Sequence, residues 1–103
     1  MSEPKLTHTT MMVLHAIDAG YVYGLSIMDA TGLPSGTVYP ILRRLEAAKF
    51  VRSAWEAQKV ADAEQRPARK YYKLTASGGS TLESARRRFP LLAGLKPAPS
   101  GNA

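Results

Sequence analysis

Apolar residues recur at helical spacing through the first half of the chain and alternate in two short stretches of the second. Thr10, Val13, Leu14 and Ile17 form a stripe three and four apart, which predicts a helix over about 8–19, with Thr7 or Thr9 able to cap it and Gly20 to close it. A shorter second helix fits about 23–31, with Leu25, Ile27 and Met28 turned inward and Gly32 in the left-handed position after its end. Leu33-Pro34 then forces an extended turn, because the residue before proline avoids the helical region. Ser35 reads as the cap of a third helix, about 36–48, whose inward face is Val38, Ile41, Leu42 and Leu45.

After Phe50 the period changes. Val51, Ser53 and Trp55 alternate with Arg52, Ala54 and Glu56, the pattern of a half-buried strand that packs Trp55 under the hairpin. "QKVADAEQRPA" reads as a polar loop, and "RKYYKLT" as a second strand with Tyr72 and Leu74 on one face. Thr75 can cap a last helix carrying Leu82, Ala85, Phe89 and Leu92, with Gly78-Gly79 weakening its start and Pro90 kinking or ending it. The order helix, helix, helix, strand, strand, helix, with a tight turn between the second and third helices, predicts a mainly α winged helix-turn-helix with a small β-hairpin. The expected division is a DNA-binding domain over 1–75, a dimerisation helix over 76–95 and a disordered tail over 96–103.

In a winged helix-turn-helix the third helix enters the DNA major groove and the hairpin is the wing. The third helix tolerates Pro40 because the proline stands in its first turns, where only the bond back to Gly36 is lost. Gly36 leaves room for a phosphate at the positive end of the helix dipole. Thr37 and Tyr39 can hydrogen-bond to base edges or backbone, Pro40 offers a rigid apolar surface, and Arg43 and Arg44 reach phosphate or guanine one turn on. Tyr39 and Arg43, four apart, share a face. On the wing, Arg66, Arg69 and Lys70 are placed to meet phosphate or the minor groove. The last helix carries more apolar surface than a chain of this size easily covers alone. Leu14, Leu82, Ala85, Phe89 and Leu92 are therefore expected in a two-fold interface between the first and last helices of two copies.

Charge sharpens this picture. The 103 residues carry 14 Lys+Arg against 8 Asp+Glu, a formal charge of +6, which directs a small domain toward an anionic partner such as nucleic acid. The absence of cysteine excludes a disulfide framework, thiolate metal ligands and a cysteine nucleophile, and fits a cytoplasmic setting. No apolar run reaches the ~18 residues of a membrane span, and the opening residues lack the order of a signal peptide. His8 and His15 lie seven apart without a third ligand nearby, Glu46 and Glu56 read as surface charges rather than an acid/base pair, and Gly78-Gly79 lacks the rest of any phosphate-loop motif. No enzyme activity and no cofactor are expected.

"YGLSIMDATGLPSGTVYPILRRLEAAKFVRSAWE", followed by "RPARKYYKLTASG", resembles the DNA-binding domain of PadR-family transcriptional regulators over about Thr10 to Gly78. The most specific parts are Tyr23-Gly24, Gly36-Thr37-Val38-Tyr39-Pro40 with Arg44-Leu45-Glu46, Trp55-Glu56, and Arg69-Lys70-Tyr71-Tyr72 with Leu74-Thr75. The resemblance implies a homodimeric repressor on an inverted-repeat operator in double-stranded DNA. It places Tyr23, Ser35, Gly36, Thr37, Tyr39 and Pro40 near DNA, with Arg66, Arg69 and Lys70 on the wing. Two departures stand out. Lys49 occupies a position before the first wing strand that is often glycine in the family. Residues 76–103 are shorter than the helical dimerisation region of many members, some of which hold a small aromatic molecule there. A small aromatic effector is thus a weaker implication than DNA. The competing reading is a winged-helix module that binds a protein, or DNA architecturally, without a specific operator.

Overall fold

Thr7 starts the first helix as the pattern predicts: its hydroxyl accepts a hydrogen bond from the Thr10 amide at 3.2 Å, satisfying one of the free amides at a helix N-terminus. In the computed structural model, which describes residues 7–88, the elements are α1 (His8–Asp18), α2 (Gly24–Thr31), α3 (Ser35–Ala47), β1 (Val51–Trp55), α4 (Gln58–Ala63), β2 (Lys70–Leu74) and α5 (Ala76–Arg88). Gly32 ends α2 at φ 74°, the left-handed position assigned to it, and its amide donates to Met28 O at 2.8 Å. Pro34, rather than Ser35, is the N-cap of α3. Its carbonyl accepts from the amides of Thr37 and Val38, and Ser35 becomes the first helical residue without a side-chain cap.

Met11, Leu14, Ile27, Val38, Leu42, Leu45, Val51 and Leu82 are fully buried, so α1, α2, α3, the root of the hairpin and α5 share one core. Burying each of the large aliphatic side chains stabilises the fold by about 1.5–3 kcal/mol relative to exposure. Leu25 departs from its expected inward place: it stands 64% exposed, on the outward face of α2 with Asp29, while Gly24 and Ile27 take the buried positions.

β1 and β2 pair antiparallel, from Val51 opposite Leu74 to Trp55 opposite Lys70. The chain before α2 joins this ladder from the other side: Tyr23 bridges Tyr71, and the Tyr72 amide donates to Val22 O at 2.8 Å. The connection between the strands is not wholly loop. Six residues, mostly polar or small, form α4, with Ala61 buried and Val60 exposed.

The start of α5 is fixed by backbone contact. Thr75 Oγ1 accepts from the Gly78 amide at 3.0 Å and donates to Lys49 O at 2.7 Å, while the Thr75 amide donates to Phe50 O at 3.0 Å. Gly78 does not weaken this end; it permits it, since an added Cβ would lie 2.0 Å from Phe50 O. Lys49 adopts a left-handed turn conformation that favours glycine, at φ 66°. α5 then packs back on α1 through Leu82 and Ala85, and Arg86 reaches Asp18 at 2.7 Å. Leu14, Leu82 and Ala85, expected between copies, are covered by the chain itself, because α5 folds onto α1. Phe89 and Leu92, and the expected tail over 96–103, lie outside the described residues.

Candidate nucleic-acid interface

With its apolar stripe buried, α3 presents Ser35, Gly36, Tyr39, Arg43 and Arg44 on the outside, with Thr37 and Pro40 partly covered. The helix runs unbroken through Pro40. Nothing lies within 4 Å of a Cβ added at Gly36, so the approach to this helix end is open. Tyr39 is 39% exposed, and its hydroxyl end lies over Gly24, where a Cβ would fall 2.1 Å from Oη. Glycine at the first position of α2 is therefore what seats the Tyr39 ring. The Tyr23–Ser26 turn fixes the same helix end, with the Tyr23 amide donating to Ser26 Oγ at 3.3 Å and Ser26 Oγ donating to Tyr23 O at 2.8 Å.

Across from α3 stands the wing. A cleft of about 520 Å³ separates the two, and Tyr23, Tyr39, Arg43, Arg66, Arg69 and Lys70 all line it. Six of the residues singled out in the sequence are thus brought together, and the shared face of Tyr39 and Arg43 is realised. Ser35, Gly36, Thr37, Pro40 and Arg44 belong to α3 outside the cleft wall. Sequence reasoning missed Gly24, Leu25, Pro67, Ala68 and Tyr72 as cleft residues and favoured packing under the wing over an aromatic wall for Trp55. Tyr72, 7% exposed, is a floor residue whose phenol is pushed up by burial and by Glu46. Trp55 does not pack under the hairpin: it is 67% exposed, since the ladder runs past the core before it reaches this residue.

The cations of the wing have different partners. Arg69 stacks its guanidinium over the Tyr23 ring at 4.1 Å, and Tyr23 meets Tyr71 edge-on at 5.8 Å. Lys70 stands 5.8 Å from the Trp55 ring centre and 3.9 Å from Glu46. Arg66, expected at phosphate, is turned inward instead. It grips both oxygens of Glu56, at 2.7 and 2.8 Å, and bonds Glu64 at 3.1 Å. Glu56 also accepts from the Arg69 amide and the Tyr71 hydroxyl, both at 3.2 Å. These donors, Arg66 first, hold its carboxyl at about 2, and Glu56 in turn pushes Arg66 upward. Glu56 is thus the clasp of the wing, closing the loop between β1 and β2 over one buried carboxylate; its side chain is 8% exposed.

Among the described residues no group of three or more His, Cys, Asp or Glu could hold a metal, and no helix is long and apolar enough to cross a membrane. His15 is buried against α5, and burial lowers its pKa.

The sequence profile described as "Transcriptional regulator PadR-like family" matches residues 13–84. No curated protein matches the chain. Among solved structures, a PadR-like transcription factor from Bacteroides fragilis is 25% identical, covers 84% of each chain and superposes with a TM-score of 0.66. A PadR family transcription regulator from Clostridium difficile is 22% identical over 85% of this chain and 93% of that one, with a TM-score of 0.71. Bordetella bronchiseptica BpsR, described by a mechanism for regulation of its DNA binding by 6-hydroxynicotinic acid, is 21% identical over 91% and 67%, with a TM-score of 0.68. The last two likenesses concern the fold alone. The profile spans most of the length, from the apolar stripe of α1 into α5, and on that ground the chain belongs to the PadR-like family of transcriptional regulators.

Proposed function

We propose that the chain is a sequence-specific DNA-binding repressor that acts as a homodimer on an inverted-repeat operator. The observation that carries this reading is the cleft. The outward ridge of α3, Tyr39 and Arg43, faces a wing that offers Arg69 and Lys70, so a helix and a cationic hairpin flank one groove. That spacing of elements suits a major-groove helix with a wing on the adjoining backbone. Ser35, Gly36 and Thr37 lead the helix toward DNA, Tyr39 and Pro40 meet bases, and Arg43, Arg44, Arg69 and Lys70 meet phosphate. Tyr23 positions Arg69. Arg66 supports the wing through Glu56 rather than touching DNA.

One recognition helix reads half of a symmetric site, so two copies are needed for an inverted repeat. With Leu82 and Ala85 inside the protomer, the contact between copies falls to surfaces of α1 and α5 that the core leaves uncovered. Genomic DNA selection with the purified protein, followed by footprinting and sedimentation, tests the reading. A short palindrome protected by a dimer is the expected result. Uniform binding without a site favours the architectural module, and a wild-type monomer at micromolar concentration removes the dimer.

The BpsR likeness motivates one further element, control by a small aromatic acid. The aromatic walls and cations of the cleft suit such a molecule, which would compete with DNA for the same surface. Titrating 6-hydroxynicotinic acid into the protein–operator complex tests this, and release of DNA is the expected outcome.

A further inference from the structure

Trp55 is the one tryptophan of the chain, and it stands in solvent at the far end of the β1–β2 ladder. A large indole left open is a standing cost unless something covers it. It is also not alone. Of the four exposed large hydrophobic residues among those described, three, Leu25, Tyr39 and Trp55, line the cleft between α3 and the wing. Arg43, Arg69 and Lys70 line the same cleft. The surface therefore combines apolar faces with cations; of the carboxylates beside it, Glu46 pairs with Lys70, and Glu56 and Glu64 pair with Arg66.

We propose that Trp55 is a DNA-contacting residue of the wing, its indole lying against the deoxyribose face of the strand that passes between α3 and the hairpin. This rests on the DNA-binding reading above and adds a residue and a mode of contact to it. A nucleic-acid backbone has the matching character: apolar sugar faces alternate with phosphates. Lys70, 5.8 Å from the indole, is placed to meet the phosphate beside the sugar that Trp55 covers. A second copy of the chain would bring cations against cations, which the net charge of +6 opposes.

The single indole makes the test direct. Acrylamide quenching of tryptophan emission is measured on the wild-type protein with a fluorescein-labelled mixed-sequence duplex and with one of its strands alone, alongside anisotropy of the label. The duplex is expected to shield the indole with the same midpoint that anisotropy reports. Trp55→Ala should weaken duplex binding by roughly tenfold, a change of about 1.4 kcal/mol, and Trp55→Phe by much less. Because no charge is removed, Trp55→Ala should leave the slope of log affinity against log salt unchanged, whereas Arg69→Ala should lower it by about one unit. A thermal melt of each variant checks the fold. An indole equally open to acrylamide in the DNA-bound protein, with Trp55→Ala binding like wild type, overturns the contact while leaving DNA binding intact. Shielding by the single strand but not the duplex overturns it in favour of base stacking. No anisotropy change with wild-type protein removes the DNA-binding reading and this one together.

Discussion

Gly24 and Gly78 both stand in the first turn of a helix, and at both an added methyl would land about 2 Å from a neighbouring oxygen: 2.1 Å from Tyr39 Oη at Gly24, and 2.0 Å from Phe50 O at Gly78. The oxygens differ in kind. Phe50 O belongs to the main chain and already accepts from the Thr75 amide. Tyr39 Oη is the far end of a side chain on α3, the helix proposed to face DNA, and it can turn about its own torsions. The scaffold is thus locked through backbone, while the proposed reading surface is seated by a contact that can yield. One end of the molecule is specified for stability and the other for the placement of a single ring.

The largest effect should follow from the backbone lock. Gly78→Ala must move either the Phe50 carbonyl, next to the positive-φ turn at Lys49, or the start of α5 with its Thr75 cap. Overpacking of this kind costs about 1–3 kcal/mol, against which the better helix propensity of alanine returns at most about 1 kcal/mol. Urea denaturation should show net destabilisation. A variant more stable than wild type would break the comparison, because the two close approaches would then be equally soft.

Tyr39→Ala sharpens it from the other side. The ring is partly exposed and outside the core cluster, so the fold should hold. Operator binding should weaken by about 1–3 kcal/mol, with a much smaller loss on random duplex. Equal losses on both would mean that α3 only grips phosphate, and an unfolded variant would return Tyr39 to the scaffold.

The wing clasp should give a smaller, pH-bound effect. The Glu56 carboxyl titrates near 2 in the folded chain against an ordinary 4.5. A lowered acid pKa means that the unfolded chain takes up the proton first. The clasp therefore contributes fully above pH 4.5 and is lost progressively as pH falls toward 2. Glu56→Gln should melt below wild type at neutral pH, and the gap should close across that window. A gap that stays constant from pH 7 to 2 would show that the carboxylate charge is not what holds the loop.

Much of the scaffold was legible because it repeats. The four inward positions of α3 and the Gly32 stop follow from spacing and from the left-handed conformation that only a few residues accept. Spacing assigns a face, however, and not what covers it. Trp55 keeps the inward alternation of its strand but lies beyond the reach of the core, whereas Leu25 sits on the outward face of α2 with Asp29, and both emerge into the cleft. The Glu56–Arg66 clasp joins residues ten apart across a loop, and no periodic signal links them. α4 is too short and uncapped to stand out from a polar run. Gly78 looked like a weak helix start because its neighbour, Phe50 O, comes from a distant part of the chain. The resemblance marked Tyr23-Gly24 as specific, yet the reason, a tyrosine fifteen residues on resting its hydroxyl there, needs the packing of α2 on α3.

Gly24→Ala closes the series with the smallest expected change in stability and a selective change in function. The methyl would stand 2.1, 2.6 and 2.8 Å from Tyr39 Oη, Cζ and Cε1, so the ring end has to move. It can do so by turning about its own side-chain torsions, at a cost of about 0.5–1.5 kcal/mol if it leaves its preferred rotamer. Alanine offsets part of this by its helix propensity, about 1 kcal/mol in a helix interior and less at the first position. The two terms nearly cancel, so the denaturation midpoint should stay close to wild type. Operator affinity should still fall, because Tyr39 no longer rests where the glycine let it sit, while binding to random duplex should hardly change. Combining the change with Tyr39→Ala separates the causes: once the ring is gone, Gly24→Ala should have no further effect on operator binding. An additive loss in the double variant would mean that Gly24 itself lies against DNA, and that the first turn of α2, not only the ring it seats, belongs to the reading surface.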